Sequence, residues 1–394
     1  MKVAAINTMS IGSTGRIMIE IGNQAKREGI EYKSFCGNWI KEQKTDECVK
    51  FGFRFENAIS GILYRITGIQ HVGSIFGTIS LIKRLKEYQP DIIHVHNLHL
   101  WVINIPFFFK YIKQNNIPVI WTLHDCWSFT GQCTHFTLER CYKWKSGCHH
   151  CTQYKQYPAS YVDMTRVMWK LKRRWFTSIQ KMIIVTPSKW LSELVKDSYL
   201  NKYPVQVINN GIDTNVFKFL TSDFKKKYGI ENKKIILGVS FGWDEKKGLM
   251  DFFELAKRLT GECIIVLVGL SANQIKDLPN NIIGIERTNS VTELAAIYSA
   301  ANVFVNATYE DNYPTVNLEA RACDVPIVTY NTGGSPESAG VNAIVLEQGD
   351  IDGLQIAVED CIKGNNKMRF KDASSLSMQD KFKEYIKLYR IIHN

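Results

Sequence analysis

The sequence predicts an α/β protein made of two tandem Rossmann-like, doubly wound domains. Three observations carry that prediction. Short apolar runs alternate with helical patterns along most of the chain. Those runs are continuously apolar, as strands of a parallel sheet covered on both faces are. The alternation comes as two successive series, and 394 residues are too many for one hydrophobic core.

The elements follow in order. "KVAAINTM" reads as the first strand, and "GSTGRIMIEIGNQAKREG" as a loop and a helix that stops at glycine. "DIIHVHNL" is a buried strand and "IPFFFKYIKQNN" a helix. "PVIWTLHD" and "KMIIVTPS" are further strands, the latter leading into the helix "KWLSELVKDSYL". A junction is expected at residues 200–211, before the second series opens. There "KIILGVSF", "ECIIVLVG", "NVFVNATY" and "PIVTY" are strands. "GLMDFFELAKRL", "VTELAAIYSA" and "PTVNLEARAC" are the helices between them. The expected domains are residues 1–203 and 204–374. Residues 375–394, with "DKFKEYIKLYR", form an amphipathic helix expected to pack back across both.

Composition narrows the classes. Apolar content is 45% and charged content 22%, which fits a globular chain and not a disordered one. The most apolar stretch, "LWVINIPFFF", is well short of the ~20 residues a membrane span needs. "MKVAAINTMS" reads as a strand and not as a signal peptide, so the expected location is cytoplasmic. The net charge of +11 and pI near 9.0 imply an anionic partner. Residues 166–181 gather six cations around two tryptophans. This is either a surface helix with snorkelling stems or a patch lying on anionic lipid. No nucleic-acid reader motif accompanies it, so nucleic acid is not an expected partner.

Ligands of open parallel sheets bind beyond the carboxyl ends of the strands. Polar clusters fall at those ends at residues 12–16, 96–99, 124–125, 242–247 and 310–319. Two facing domains would bring them to one cleft. In "EDNYPTVNLEA" a helix is predicted to start near Thr315. The first N–H groups, on Thr315, Val316 and Asn317, lack intrahelical partners and suit a diphosphate. Glu319 lies one turn further on the face of Thr315, where its carboxylate can accept hydrogen bonds from a ribose diol. Asp311, before the helix, would face sugar hydroxyls. An acidic region that only stabilises its own helix is the competing reading. Lys246 and Lys247 precede another helix, as diphosphate ligands or as solvated charge. Gly12 and Gly15 allow close backbone approach beside the cation Arg16, although the full GxGxxG spacing is missing.

"DNYPTVNLE" followed by "ARACDVPIVTYNTGGSPE" resembles the signature of the family four retaining glycosyltransferases of the GT-B fold. "VINNGIDTNVF", "TPSKWLSELV" and "TLHDCWSFTGQCTHF" resemble other family elements, the last that of the polysaccharide-assembling branch. The resemblance spans nearly the whole chain, with the motifs in order. It implies an N-terminal acceptor-binding domain and a C-terminal nucleotide-sugar-binding domain. Glu319 would hold the ribose, and Asp311, in place of the usual Glu, the donor sugar. Lys247 matches the lysine that neutralises the diphosphate, whereas the arginine five residues earlier is Gly242 here. His124 matches a residue that contacts the transferred sugar; a structural histidine is the alternative. Gly15 and Arg16 would lie against the donor phosphates. Arg287 is the residue expected near the donor base, uridine or guanosine. The implied transfer is retaining, needs no metal ion and needs no strong enzyme base.

Ten cysteines in a chain read as cytoplasmic do not imply disulfides. Cys133, Cys141, Cys148 and Cys151 could hold a structural zinc, with reduced thiols or a redox bridge as alternatives. On the acceptor side, "RFENAISGILYRITGIQHVGSIFG", "LWVINIPFFFKYIK" and residues 166–181 could rest on the inner membrane face and receive a lipid-diphosphate-linked sugar. Ordinary core plus surface helix is the other reading. The expected function is thus a glycosyltransferase of bacterial surface polysaccharide assembly, such as O-antigen or capsule. A phosphorylase or synthase of the same fold would need a pyridoxal lysine or a long glucan-binding surface, and the sequence marks neither. The alternative from another class is a non-catalytic two-domain protein that binds nucleotide or RNA.

Overall fold

The computed structural model describes residues 1–38, 47–364 and 373–393. Its strands are β1 (Lys2–Asn7), β2 (Glu31–Gly37), β3 (Val49–Phe51), β4 (Ile92–Val95), β5 (Val119–Thr122), β6 (Met182–Thr186), β7 (Val205–Val207), β8 (Lys234–Val239), β9 (Cys263–Val268), β10 (Ile282–Ile285), β11 (Val303–Asn306), β12 (Ile327–Tyr330) and β13 (Ile344–Leu346). Its α-helices are α1 (Gly12–Arg27), α2 (Arg54–Thr67), α3 (Ile75–Tyr88), α4 (Ile105–Gln114), α5 (Thr165–Phe176), α6 (Lys189–Lys196), α7 (Phe224–Lys227), α8 (Leu249–Arg258), α9 (Ala272–Lys276), α10 (Val291–Ala300), α11 (Thr315–Ala322), α12 (Ser335–Ala339), α13 (Ile351–Lys363) and α14 (Met378–His393).

The chain divides into two compact units, residues 1–209 with 382–394 and residues 210–381. Unit 1 holds a seven-stranded sheet of order β3-β2-β1-β4-β5-β6-β7. Unit 2 holds a six-stranded sheet of order β10-β9-β8-β11-β12-β13. The described pairings within both sheets are parallel. The apolar runs explain this arrangement. In β8, Ile235 and Leu237 enter one core of unit 2 while Ile236 enters the other. Val266 and Ile265 of β9 divide the same way. Successive side chains leave a strand on opposite faces, so a strand apolar at every position needs cover on both.

The "NNG" element has a packing reason. A Cβ on Gly211 would stand 2.4 Å from the Met378 Cα. Only glycine lets the segment after β7 run beside residue 377, where Ile212 and Ser377 form a β-bridge. Helix α14 continues from there, and from residue 382 onward it clusters with unit 1. Its Tyr389 hydroxyl lies 2.7 Å from His94 Nδ1, and its Tyr385 hydroxyl 3.3 Å from Thr122 Oγ1.

Burial narrows two of the segments read as membrane-facing. Val102, Ile103, Ile105, Phe108, Phe109 and Ile112 all belong to the unit 1 core, and Leu100 is buried. In α5 Trp169 is buried and Trp175 packs against the same core, so neither is presented as an interfacial anchor. Cys36 and Cys48 form a disulfide that the sequence reading did not single out.

Candidate active site

In unit 2 the polar residues gather beyond the carboxyl ends of β8, β11 and β12. After β8 comes a single turn, Glu245–Lys247, capped by Asp244, whose Oδ1 accepts from the Lys247 N–H at 2.9 Å. Gly248 ends that turn at φ +74°, and a Cβ there would stand 2.2 Å from the Ala307 carbonyl oxygen. Glycine thus lets the lysine turn press against the loop after β11. The Lys246 carbonyl accepts from the Tyr309 N–H at 2.8 Å, which fastens the two loops.

The lysines have different partners. Lys246 Nζ lies 2.7 Å from Glu310 Oε2, and the Glu310 side chain is only 1% exposed. Lys247 Nζ lies 2.8 Å from Asp311 Oδ2, and both of these side chains remain partly accessible. Burial works against the Lys247 charge, but Asp311 beside it outweighs that and holds its pKa above the usual lysine value. The Lys246 side chain is 36% exposed and that of Lys247 34%, so a ligand can reach either lysine; of the acids, Glu310 is enclosed and Asp311 accessible.

Helix α11 starts at Thr315 with no side chain capping its first N–H groups. Asp311, Thr315, Val316 and Glu319 are all partly exposed, whereas Asn312, Tyr313, Pro314, Asn317 and Leu318 are buried. The predicted ligand face is thus the accessible one. Asn317 lies on the other side. Its Nδ2 donates to Ser335 O at 3.1 Å and Ser338 Oγ at 2.9 Å, and its Oδ1 accepts from Asn306 Nδ2 at 2.9 Å. That network fixes the helix tip to β11 and α12. Glu319 Oε2 accepts from the Tyr298 hydroxyl at 3.0 Å, which orients the carboxylate.

Some supports were not found by sequence reasoning. Asp251 in α8 accepts from Tyr309 Oη at 2.9 Å and Tyr330 Oη at 2.8 Å. The Tyr309 carbonyl accepts from Thr332 Oγ1 at 2.8 Å and Gln348 Nε2 at 3.0 Å. These bonds brace the loop that carries Asp311. They join residues far apart in sequence, and no local motif announces them.

Arg287 is not brought into this group. It is exposed after β10, three strands from β11 in the sheet order, or roughly 14 Å at ordinary strand spacing. Gly242 is exposed, and a Cβ there would meet nothing within 4 Å. Unit 2 thus leaves open space where the resemblance expects an arginine.

In unit 1, Gly15 and Arg16 lie in the first turn of α1. A Cβ on Gly15 would stand 2.4 Å from the Ser10 carbonyl carbon, so this glycine serves close packing of the loop on its own helix. Arg16 is exposed. His124 follows β5, and its Nε2 lies 3.0 Å from His96 Nδ1 with the two rings stacked. The His96 ring in turn packs 4.2 Å from His94. Burial lowers the His124 pKa to about 4, partly offset by Asp125. It is a neutral hydrogen-bonding group at pH 7. Asp125 pairs with His99 Nε2 at 2.9 Å and accepts from the Trp127 N–H at 2.8 Å.

Cys133, Cys141, Cys148 and Cys151 are free thiols. The Gly131 N–H donates to Cys148 Sγ at 3.2 Å, and burial pushes the Cys148 thiol up to about 12. Among the described residues, no three His, Cys, Asp or Glu side chains are placed to hold a metal ion. The cysteines therefore enter no step below.

The family model described as glycosyltransferase family 4 matches residues 14–216. The model described as glycosyl transferases group 1 matches residues 233–364. A protein of Escherichia coli K12 named as a colanic acid biosynthesis glycosyl transferase, WcaC, is 22% identical over 96% of both chains. Sucrose-phosphate synthase from Thermosynechococcus elongatus superposes with a TM-score of 0.72 at 15% identity, covering 99% of this chain and 98% of that one. Anabaena HepE in complex with UDP-glucose superposes with a TM-score of 0.67 at 14% identity, covering 99% of each chain. The fold is therefore GT-B, and the match over more than half of its length shows that the chain belongs to glycosyltransferase family 4.

Proposed function

We propose that this glycosyltransferase moves a sugar from a nucleotide-diphosphate donor, with retention and without a metal ion, during assembly of a bacterial surface polysaccharide. The acceptor is a saccharide, carried on a lipid diphosphate at the membrane face. One observation carries the donor part. Lys247, Asp311, the uncapped start of α11 and Glu319 lie on the accessible side of one loop-helix junction in unit 2.

Each group has a distinct task. The N–H groups at the α11 start and the Lys247 ammonium stabilise the diphosphate, most strongly as it leaves with added charge. Asp311 neutralises Lys247, so the donor is met by a paired lysine and not by a bare one. Asp311 then has oxygens available to sugar hydroxyls, and Glu319, steadied by Tyr298, accepts from the ribose diol. The acceptor hydroxyl attacks the anomeric carbon on the face from which the phosphate departs. The new C–O bond forms as the bond to phosphate breaks, and the hydroxyl proton passes to the leaving phosphate oxygen. The residues contribute position and electrostatics more than proton transfer. The reading of uridine as the base is supported by HepE, whose structure contains UDP-glucose. Polysaccharide assembly is supported by the WcaC similarity.

The test is a thermal-shift screen of UDP- and GDP-sugars, followed by assay of nucleoside diphosphate release. A bound donor raises the melting temperature in proportion to the logarithm of its concentration above Kd. Glu319→Gln, which keeps an acceptor for the Tyr298 hydroxyl, is expected to lose the donor-induced shift and at least ~10²-fold in turnover, with the melting temperature without donor little changed. Wild-type turnover in that variant would remove the ribose assignment. Salt-sensitive binding of RNA with no sugar-nucleotide response would favour the non-catalytic alternative.

A further inference from the structure

Helix α2 faces the wrong way for a helix in water. Its buried residues are Asn57, Ser60, Gly61 and Tyr64, three of them polar. They are consumed in a hydrogen-bond network. Ser74 Oγ donates to Asn57 Oδ1 at 3.2 Å, the Ser74 N–H to Ser60 Oγ at 2.9 Å, and Tyr64 Oη to the Pro158 carbonyl at 2.8 Å. The outward face carries the apolar groups instead. Phe55 is 78% exposed, Ile62 59%, Ile66 58% and Leu63 52%, and Phe76 at the start of α3 is 69% exposed. Ten of the 26 exposed large apolar side chains among the described residues fall between residues 53 and 79. Such a concentration is a contact surface and not the usual scatter of single exposed apolar groups.

The charges choose the partner. Residues 53–79 contain one acid, Glu56, and two cations, Arg54 and Arg65. Glu56 is occupied, accepting from the Phe76 and Gly77 N–H groups at 2.8 Å each. Both arginines are exposed on the outward side of α2. A second copy of this face would set arginine against arginine with no free carboxylate between them. A bilayer rich in anionic lipid supplies apolar depth and phosphate together. Beside α2 lies an apolar cavity of about 170 Å³ lined by Leu63, Ile69, Val72 and Trp101, with Ser60 and His71.

We infer that the outward face of α2, with the turn into α3, docks on an anionic membrane, and that the adjoining cavity takes part of a lipid chain. This deepens the proposed function, resting on it for the lipid-linked acceptor while naming the surface that reaches the lipid. The docking itself is read without donor or acceptor.

The experiment is co-sedimentation of the full chain with vesicles of phosphatidylglycerol and phosphatidylcholine, or of phosphatidylcholine alone. The wild type is expected to partition at least tenfold more strongly onto the anionic vesicles. The triple variant Phe55→Ser, Ile62→Ser, Phe76→Ser is expected to lose at least tenfold of that partitioning. It should keep the wild-type melting temperature and donor-induced thermal shift, since these side chains face solvent. Equal partitioning of variant and wild type, or none by the wild type, overturns the proposal. So does light scattering that finds a wild-type dimer turned monomeric by the variant, which would make the face a contact between copies. Vesicle binding in a protein that gives no donor response would leave the docking standing and remove the glycosyl-transfer reading instead.

Discussion

At the scale of single residues, the donor site turns on how two neighbouring lysines are neutralised. Lys246 is paired with the nearly buried Glu310, so its charge is already engaged. Lys247 shares Asp311, whose side chain is 24% exposed, so in this pair both partners are open to exchange with a ligand. Gly242 adds nothing, yet its surroundings are empty. Gly242→Arg is therefore expected to fold normally and to tighten binding of nucleoside diphosphate about tenfold, the scale of one further charge-assisted contact. Titration calorimetry with UDP and GDP measures this. Unchanged affinity for both would show that position 242 does not face the diphosphate. The sequence alone marked both lysines and Asp311. It could not match them, because each pair joins residues more than 60 positions apart.

At the scale of elements, the glycine between the lysine turn and α8 sets the register of the site. Gly248 at φ +74° lies against the Ala307 carbonyl with no space for a methyl group. Gly248→Ala is expected to cost more than about 1 kcal/mol of stability, since it adds backbone strain to a clash with main chain. It should also lower turnover, because Lys247 precedes it directly. Denaturant unfolding and steady-state rates check both effects, and a variant equal to wild type in each would refute the packing argument. The strands were legible because their apolar runs leave no polar face to expose. The start of α11 was legible because Pro314 and the apolar residues after it mark a helix entry. Orientation was less legible. Periodicity detects two unlike faces on a helix but not which one the fold buries. Hence the tryptophans of α5, offered to lipid, turned inward, while α2 turned its apolar side out. Gly15 shows the same ambiguity, since close backbone approach serves either a ligand or the chain itself, and here the loop packs against it.

At the scale of the molecule, a row of neutral histidines lies in the middle of unit 1. Burial lowers the pKa of His94 to about 3 and of His124 to about 4, and that of His96 well below its usual value. The unfolded chain binds these protons near pH 6.5, while the folded chain resists them. The stability they contribute is thus fully present above pH 6.5 and lost as pH falls toward 4. Melting temperatures between pH 8 and pH 4.5 are expected to decline below about pH 6.5. A flat profile would mean that the rings are accessible to protons in the native state. Tyr389 of α14 sits at one end of this row, against His94.

That contact has a consequence for how the chain comes together. Residues 382–394 cluster with residues 1–209, while everything between forms the other unit. On the ribosome, the half begun first is therefore finished last. Its central sheet must wait, with His94 lacking its phenol, until the intervening half has been synthesised and α14 emerges. A stop codon shortly before residue 382 would spare unit 2 and leave unit 1, far upstream, without its closing helix.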